Sequence, residues 1–264
     1  MKKSYVFTIG NIKGGAGKTT VCMHLITMLM KQGIKVASID TDCYQHSLTS
    51  YIKNREKYNE KNKAKLLLPI HFLIEINNKI KQEEEKIIFE DTLAKAKDLA
   101  QIVIIDTPGN FCNISSIAHS YADTIITPIN DSFLDLNLLV ETDPSSLKIN
   151  KMSIYTQMVW QQKLQRAQRN KEEINWIILR NRLSTLNAKN KKALSKVINK
   201  FAKKIGCKIA PGFTERVIYK ELFLTGMTLI DLDSKKSSFS LSHIAARQEM
   251  RSFLNFLKIK NFVT

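Results

Sequence analysis

No apolar run in the 264 residues approaches the roughly 20 needed to cross a bilayer, and Met1-Lys2-Lys3-Ser4 leads into a strand pattern without a secretory apolar core. The cytosol is therefore the expected compartment. Cysteine is scarce: Cys22, Cys43, Cys112 and Cys207 stand apart with no C-x-x-C pair, and no two of the five histidines have helical ligand spacing. Disulfides, structural zinc and an iron–sulfur cluster are not expected of this chain. Acidic residues are also few, 24 against 41 lysines and arginines, for a net charge of +17. That imbalance is concentrated in one stretch. Residues 151–220 hold 17 basic side chains against Glu172, Glu173 and Glu215, a balance of +14, which points to a polyanionic partner. There are no internal repeats and no linker long enough to divide domains. With 44% hydrophobic residues, the chain is expected to build one domain over residues 1–264.

What is present is a phosphate-binding pattern at the start. Tyr5-Val6-Phe7-Thr8-Ile9 reads as a buried strand, Gly10-Asn11-Ile12-Lys13-Gly14-Gly15-Ala16-Gly17-Lys18-Thr19-Thr20 as a glycine-rich turn, and Lys18 to Lys31 as an apolar helix stopped at Gly33. A strand that turns through glycines into a helix aims backbone N–H groups and the positive end of the helix dipole at one point. Gly14, Gly15, Ala16 and Gly17 form the loop, Lys18 is positioned to neutralise β- and γ-phosphates, and the Thr19 hydroxyl to ligate Mg²⁺, with Thr20 beside it. The strict G-x-x-x-x-G-K-[ST] pattern fails, because Ile12 occupies its first glycine, and a second lysine, Lys13, opens the loop.

Further along, Lys35–Ile39 reads as a strand ending at Asp40-Thr41-Asp42, where ligands bind in open α/β sheets. One of the two carboxylates is expected to cap the following helix. Residues 52–65 and 75–98 read as solvated helices carrying no chemistry, and His24 as a satisfied core histidine. Ile102-Val103-Ile104-Ile105 is a central parallel strand delivering Asp106-Thr107-Pro108-Gly109: Asp106 would hold Mg²⁺ through water, and the Gly109 N–H would approach the γ-phosphate. Ala122–Pro128 and Ile174–Leu179 supply further strands, so the expected fold is α/β, a doubly wound and mostly parallel sheet. Asn181 is a candidate base contact. No guanine-recognition motif of the Asn/Thr-Lys-x-Asp type occurs, which favours ATP.

The two-lysine loop resembles the deviant Walker A loop of the ParA/MinD family of ATPases. A narrower resemblance, to the MipZ branch that positions the division plane in alphaproteobacteria, is carried by several segments. They are residues 10–20, Asp40-Thr41-Asp42, residues 106–109, Thr127 to Phe133, Val159-Trp160, Arg180-Asn181-Arg182-Leu183, Arg216 to Phe223, and Ala245 to Glu249. The resemblance implies that two protomers sandwich two ATP molecules, that Lys13 reaches into the partner's site, and that Asp42 orients the attacking water. It further implies a slow ATP hydrolase acting as a switch, associated with the nucleoid, with a ParB-like centromere-binding protein and the tubulin-like FtsZ as partners.

On a helical wheel the segment Lys189–Lys204 places Leu194, Val197, Ile198 and Phe201 on one side and a lysine stripe on the other. With the surrounding charge, Lys192, Lys196, Lys200 and Lys203, helped by Arg216 and Lys220, are expected to bind DNA without sequence preference. A membrane anchor would use the stripe Ala246, Met250, Phe253, Leu254 and Leu257, but such stripes more often pack on a sheet, and no stable anchor is expected. A ParA-type partition ATPase and a metabolic ATP-dependent enzyme, such as a ligase or reductase component, remain the alternative readings.

Overall fold

The structure, a computed structural model, describes residues 4–76, 80–143, 146, 148–183, 188–233 and 240–259, with only the backbone for 188–191. In chain order the elements are β1 (Tyr5–Ile9), α1 (Lys18–Lys31), β2 (Val36–Asp40), α2 (Ser47–Asn62), β3 (Ile70–Leu73), α3 (Gln82–Leu99), β4 (Ile102–Asp106), α4 (Asn113–Ser120) and β5 (Thr124–Asn130). There follow α5 (Phe133–Leu136), β6 (Val140–Thr142), β7 (Ile149–Met152), α6 (Ile154–Asn170), β8 (Asn175–Asn181), α7 (Ala188–Ile205), β9 (Lys208–Ala210), α8 (Ile218–Thr225) and α9 (Leu241–Leu257).

Seven strands form one sheet in the order β3-β2-β4-β1-β5-β8-β9, and every pairing in it is parallel. Such a sheet is covered on both faces, which is why β1, β2 and β4 are buried along nearly their whole length rather than at alternate residues. Successive residues nevertheless serve opposite layers. Ile102 and Ile104 pack with α1, α2, α8 and α9, whereas Val103 and Ile105 pack with α3 and α4. A third apolar cluster joins β5 and β8 to α5, α6 and α7.

Several elements differ from the sequence expectation. The second strand runs one residue further, so Asp40 is its last residue. Residues 52–65 are only half solvated, because α2 starts at Ser47 and buries Leu48, Tyr51, Ile52 and Arg55 against α1 and α8. Within 75–98, α3 buries Phe89, Leu93 and Ala96 on the sheet. The edge strands β3 and β9 and the antiparallel hairpin β6/β7 are short and partly exposed, and they are additional to the strands expected from the sequence. The apolar stripe of α9 is buried in the same cluster as α1, so it offers no face to a bilayer. Among the described residues no helix is long and apolar enough to cross a membrane.

Candidate functional site

At the carboxyl edge of the sheet β1 ends, the chain turns through residues 10–17, and α1 begins with no acidic residue in its first turn. The helix dipole is therefore uncompensated by the chain and open to an anion. Gly17 caps α1 in the left-handed region at φ 87°, and a Cβ there would lie 2.3 Å from Asn181 Nδ2. Gly109 closes over the loop from the other side, where a Cβ would lie 3.1 Å from Gly14 Cα and 3.3 Å from Lys18 Nζ. Between them opens a cavity of about 420 Å³ lined by Gly14, Gly15, Gly17, Lys18, Thr19, Thr20, Asp42 and Gly109.

Lys18 is buried, and its Nζ donates to the Lys13 carbonyl at 3.2 Å. Burial draws its pKa down, against the pull of Asp106 and Asp42. Asp42 Oδ1 accepts from the N–H groups of Tyr44 and Gln45 at 3.2 and 3.0 Å, which fixes the carboxylate at the cavity wall. Asp40 takes the capping part: its Oδ2 accepts from the Thr49 N–H and hydroxyl at 2.9 and 2.8 Å in the first turn of α2.

Asp106, at the end of β4, accepts the Thr19 hydroxyl on Oδ2 at 2.6 Å, while its buried Oδ1 has no partner. Burial and the nearby Asp40 charge push its carboxyl up to about 7. A buried carboxylate with one unsatisfied oxygen, beside a hydroxyl and at a phosphate-binding loop, fits Mg²⁺, which takes few protein oxygens and completes its shell with phosphate and water. Thr19 and Asp106 would hold it, and its charge would satisfy the orphaned oxygen. Among the described residues no group of three or more His, Cys, Asp or Glu side chains forms another metal site.

Lys13 does not line this cavity. Its Nζ is paired with Asp135 Oδ1 in α5, and the buried Asp135 also accepts the Asn130 N–H at 2.8 Å. Asp135 was not legible as part of the site, since its partner lies 122 residues away in the chain. Asn181 lines a second cavity of about 280 Å³, shared with Val21, Phe213, Tyr219, Phe223 and Met250, which adjoins the first at Gly17 and Thr20. Its amide is already engaged at both ends: Nδ2 donates to Ala16 O and Oδ1 accepts from Arg182 N, each at 2.9 Å. His24 bonds Thr20 O and the Leu229 N–H and stacks edgewise on Tyr219, a satisfied core histidine as expected.

The six cations expected to meet DNA do not form one patch. Lys192, Lys196, Lys200 and Lys203 are exposed along α7, whose apolar face packs with β8. Arg216 and Lys220 instead line the cavity shared with Asn181, on the opposite layer, and Arg216 is held in a two-pronged pair with Glu249 at 2.7 and 2.9 Å. Strand order separates them, because α7 and α8 fall on opposite faces of the sheet. Cys43 and Cys112 line one cavity of about 390 Å³, their thiols pushed up by burial.

A parallel sheet with a two-lysine phosphate loop at its carboxyl edge, and an aspartate on the neighbouring strand, defines a P-loop protein of the ParA/MinD type. The family model described as ATPase MipZ matches residues 5–261, and the chain belongs to that family. The structure is similar to that of a plasmid partition protein of Borrelia burgdorferi bound to AMPPNP, with 17% identity, coverage of 97% and 99% of the two chains, and a TM-score of 0.63. It is also similar to MinD of Pyrococcus horikoshii complexed with Mg-ADP, with 14% identity, 99% of each chain, and a TM-score of 0.62. The ATP complex of a Cyanothece McdA variant is a third likeness, with 20% identity, 95% and 98% coverage, and a TM-score of 0.61. At these identities the likeness is one of fold. In sequence, an uncharacterised ATP-binding protein of Methanocaldococcus jannaschii is 29% identical over 139 residues, 46% of this chain and 51% of that protein. The chain thus spans about half the length of the curated relative it matches.

Proposed function

We propose that the chain is an ATP-dependent dimerising switch that regulates placement of the division plane and binds DNA without sequence preference in its ATP-bound dimer. The observation that carries the proposal is the convergence of Gly14, Lys18, Thr19, Asp42 and Gly109 on one cavity, with Asp106 bonded to Thr19 through one oxygen and unsatisfied on the other, and Lys13 tied back to Asp135. In this reading Mg²⁺, bound with ATP, neutralises phosphate charge. Lys18 binds the β- and γ-phosphates, Asp42 orients water, and Lys13 leaves Asp135 to reach the partner's nucleotide. A cation delivered in trans to a phosphoryl-transfer transition state is worth roughly 10³–10⁵ in rate where it is an arginine, so dimerisation gates hydrolysis. Tyr44, Phe111 and Leu134, large apolar side chains 74%, 58% and 71% exposed beside the cavity and Lys13, are the surface that a second copy would cover. By family membership, a ParB-like protein and FtsZ are the proposed protein partners. A partition ATPase would share every step of this cycle and differ in the partner alone.

The test is sedimentation in excess Mg-ATP. Asp42→Ala should accumulate as dimer without hydrolysis, Lys13→Ala should bind ATP and stay monomeric, and Lys18→Ala should lose nucleotide. A monomeric Asp42→Ala would sink the sandwich mechanism.

A further inference from the structure

Among the described residues, five other than glycine have positive φ: His46, Lys63, Lys171, Arg182 and Lys258. Lys63, Lys171 and Lys258 end α2, α6 and α9, where a left-handed residue is ordinary, and His46 precedes α2. Arg182, at φ 50°, caps nothing. It follows the last residue of β8, and the chain on either side is pinned. Phe213 N donates to Arg180 O at 2.9 Å, Leu183 N donates to Phe213 O at 2.8 Å, and Arg182 N is held by Asn181 Oδ1. A strained conformation that its surroundings over-determine is found at functional sites more often than elsewhere.

The side chain completes the argument. Arg182 and Phe223 belong to the walls of both cavities, the one at the glycine loop and the one shared with Asn181, which meet at Gly17 and Thr20. Arg182 is exposed, and its guanidinium makes no hydrogen bond or ion pair with another described residue. By contrast Arg216, which shares the wall of the second cavity with Lys220, is already committed to Glu249. A nucleotide whose base fills one cavity and whose terminal phosphates fill the other must cross this wall with its ribose and α-phosphate.

Resting on the nucleotide-site reading above, we propose that Arg182 binds the α-phosphate, so that it serves ATP, ADP and AMP alike, whereas Lys18 distinguishes nucleotides by their β- and γ-phosphates. A charge-assisted contact of this kind corresponds to about ten- to a hundredfold in affinity.

The experiment uses Arg182→Gly, which removes the charge while suiting the left-handed backbone, and compares it with Arg182→Lys and Lys18→Ala. Equilibrium titrations with ATP, ADP, AMP and adenosine are read beside the melting temperature of the nucleotide-free protein. Arg182→Gly should melt no lower than wild type, bind ATP, ADP and AMP about ten- to a hundredfold more weakly by one common factor, and bind adenosine unchanged. Arg182→Lys should recover part of the loss, and Lys18→Ala should spare AMP. Unchanged affinity for all three phosphates overturns the assignment. So does a loss confined to ATP, which would place the guanidinium at the γ-phosphate, or an equal loss for adenosine, which would place it at the base. Wild-type protein that binds none of these ligands overturns the nucleotide-site reading, and this one with it.

Discussion

At the scale of single residues, the buried histidines behind the nucleotide loop set a pH response. His119 is fully buried between Ser115 O and the Tyr155 hydroxyl, and Tyr155 in turn donates to Gly10 O at 2.7 Å, where the loop leaves β1. Burial pushes His119 down to about 4, and it does the same to His24. Both are neutral in the folded protein across the range where an unfolded histidine, with its usual value of 6.5, gains a proton. The unfolded state therefore binds more protons between pH 4 and 6.5, and stability is present above that window and lost as the pH falls through it. Each histidine contributes a slope of about 1.4 kcal/mol per pH unit inside the window. Urea unfolding between pH 5 and 7 should show this decline, and His119→Gln should flatten it by about one proton. An unaltered slope in that variant would mean that His119 is solvated and titrates normally.

At the scale of elements, α2 and α7 carry separate consequences. Arg55 in α2 forms a fully buried ion pair with Asp231 at 2.6 and 2.9 Å and also donates to Leu67 O and Gly226 O, fastening α2 to the turns before β3 and after α8. Breaking one half of such a pair strands a buried charge, so Arg55→Ala should cost about 3–5 kcal/mol in chemical denaturation. Adding Asp231→Asn should return part of it. On α7 the lysines lie at intervals of three or four residues over an apolar underside of Leu194, Val197, Ile198 and Phe201. Each phosphate contact releases condensed counterion, and a log–log salt slope changes by about 0.9 per contact. Replacing Lys196 and Lys200 by alanine in an Asp42→Ala background should flatten the slope of DNA binding by about 2 per protomer engaged, equally on unrelated sequences, with ATP affinity intact. Fluorescence anisotropy over a salt series reads both quantities. Equal slopes would leave the stripe a solvated face. Arg216 is not expected to add to this slope, because Glu249 already holds it.

For the whole molecule, the first strand and the last described helix share one apolar cluster, with Phe7 and Ile9 of β1, the apolar residues of α1 from Val21 to Leu29, and Phe253, Leu254 and Leu257 of α9 all in it. The three clusters lie against a single continuous sheet. We therefore expect one domain, and nucleotide-free protein should unfold in a single transition with matching calorimetric and van't Hoff enthalpies. Two resolved transitions would mean that the α7 side of the sheet folds separately from the α1 side.

Local pattern alone determined β1, the glycine loop, α1 and the strand before Asp106, because a run of apolar residues meeting glycines or a carboxylate is written within a dozen neighbouring positions. Lys18, Thr19, Gly109 and the carboxylate of Asp106 stand in that same local pattern, whereas the choice of Asp42 over Asp40 rested on the family resemblance. The strands β3, β9, β6 and β7 were not: three or four half-exposed residues hold no period, and they become strands only because a neighbour offers them a ladder. Tertiary structure decided that Lys13 rests on Asp135, that Asn181 spends its amide on Ala16, that Arg182 stands between two cavities, and that α7 and α8 face opposite ways. These depend on strand order and on the face each crossover lands on. Such long-range choices are governed by burial of the whole sheet, and no single segment of the chain encodes them.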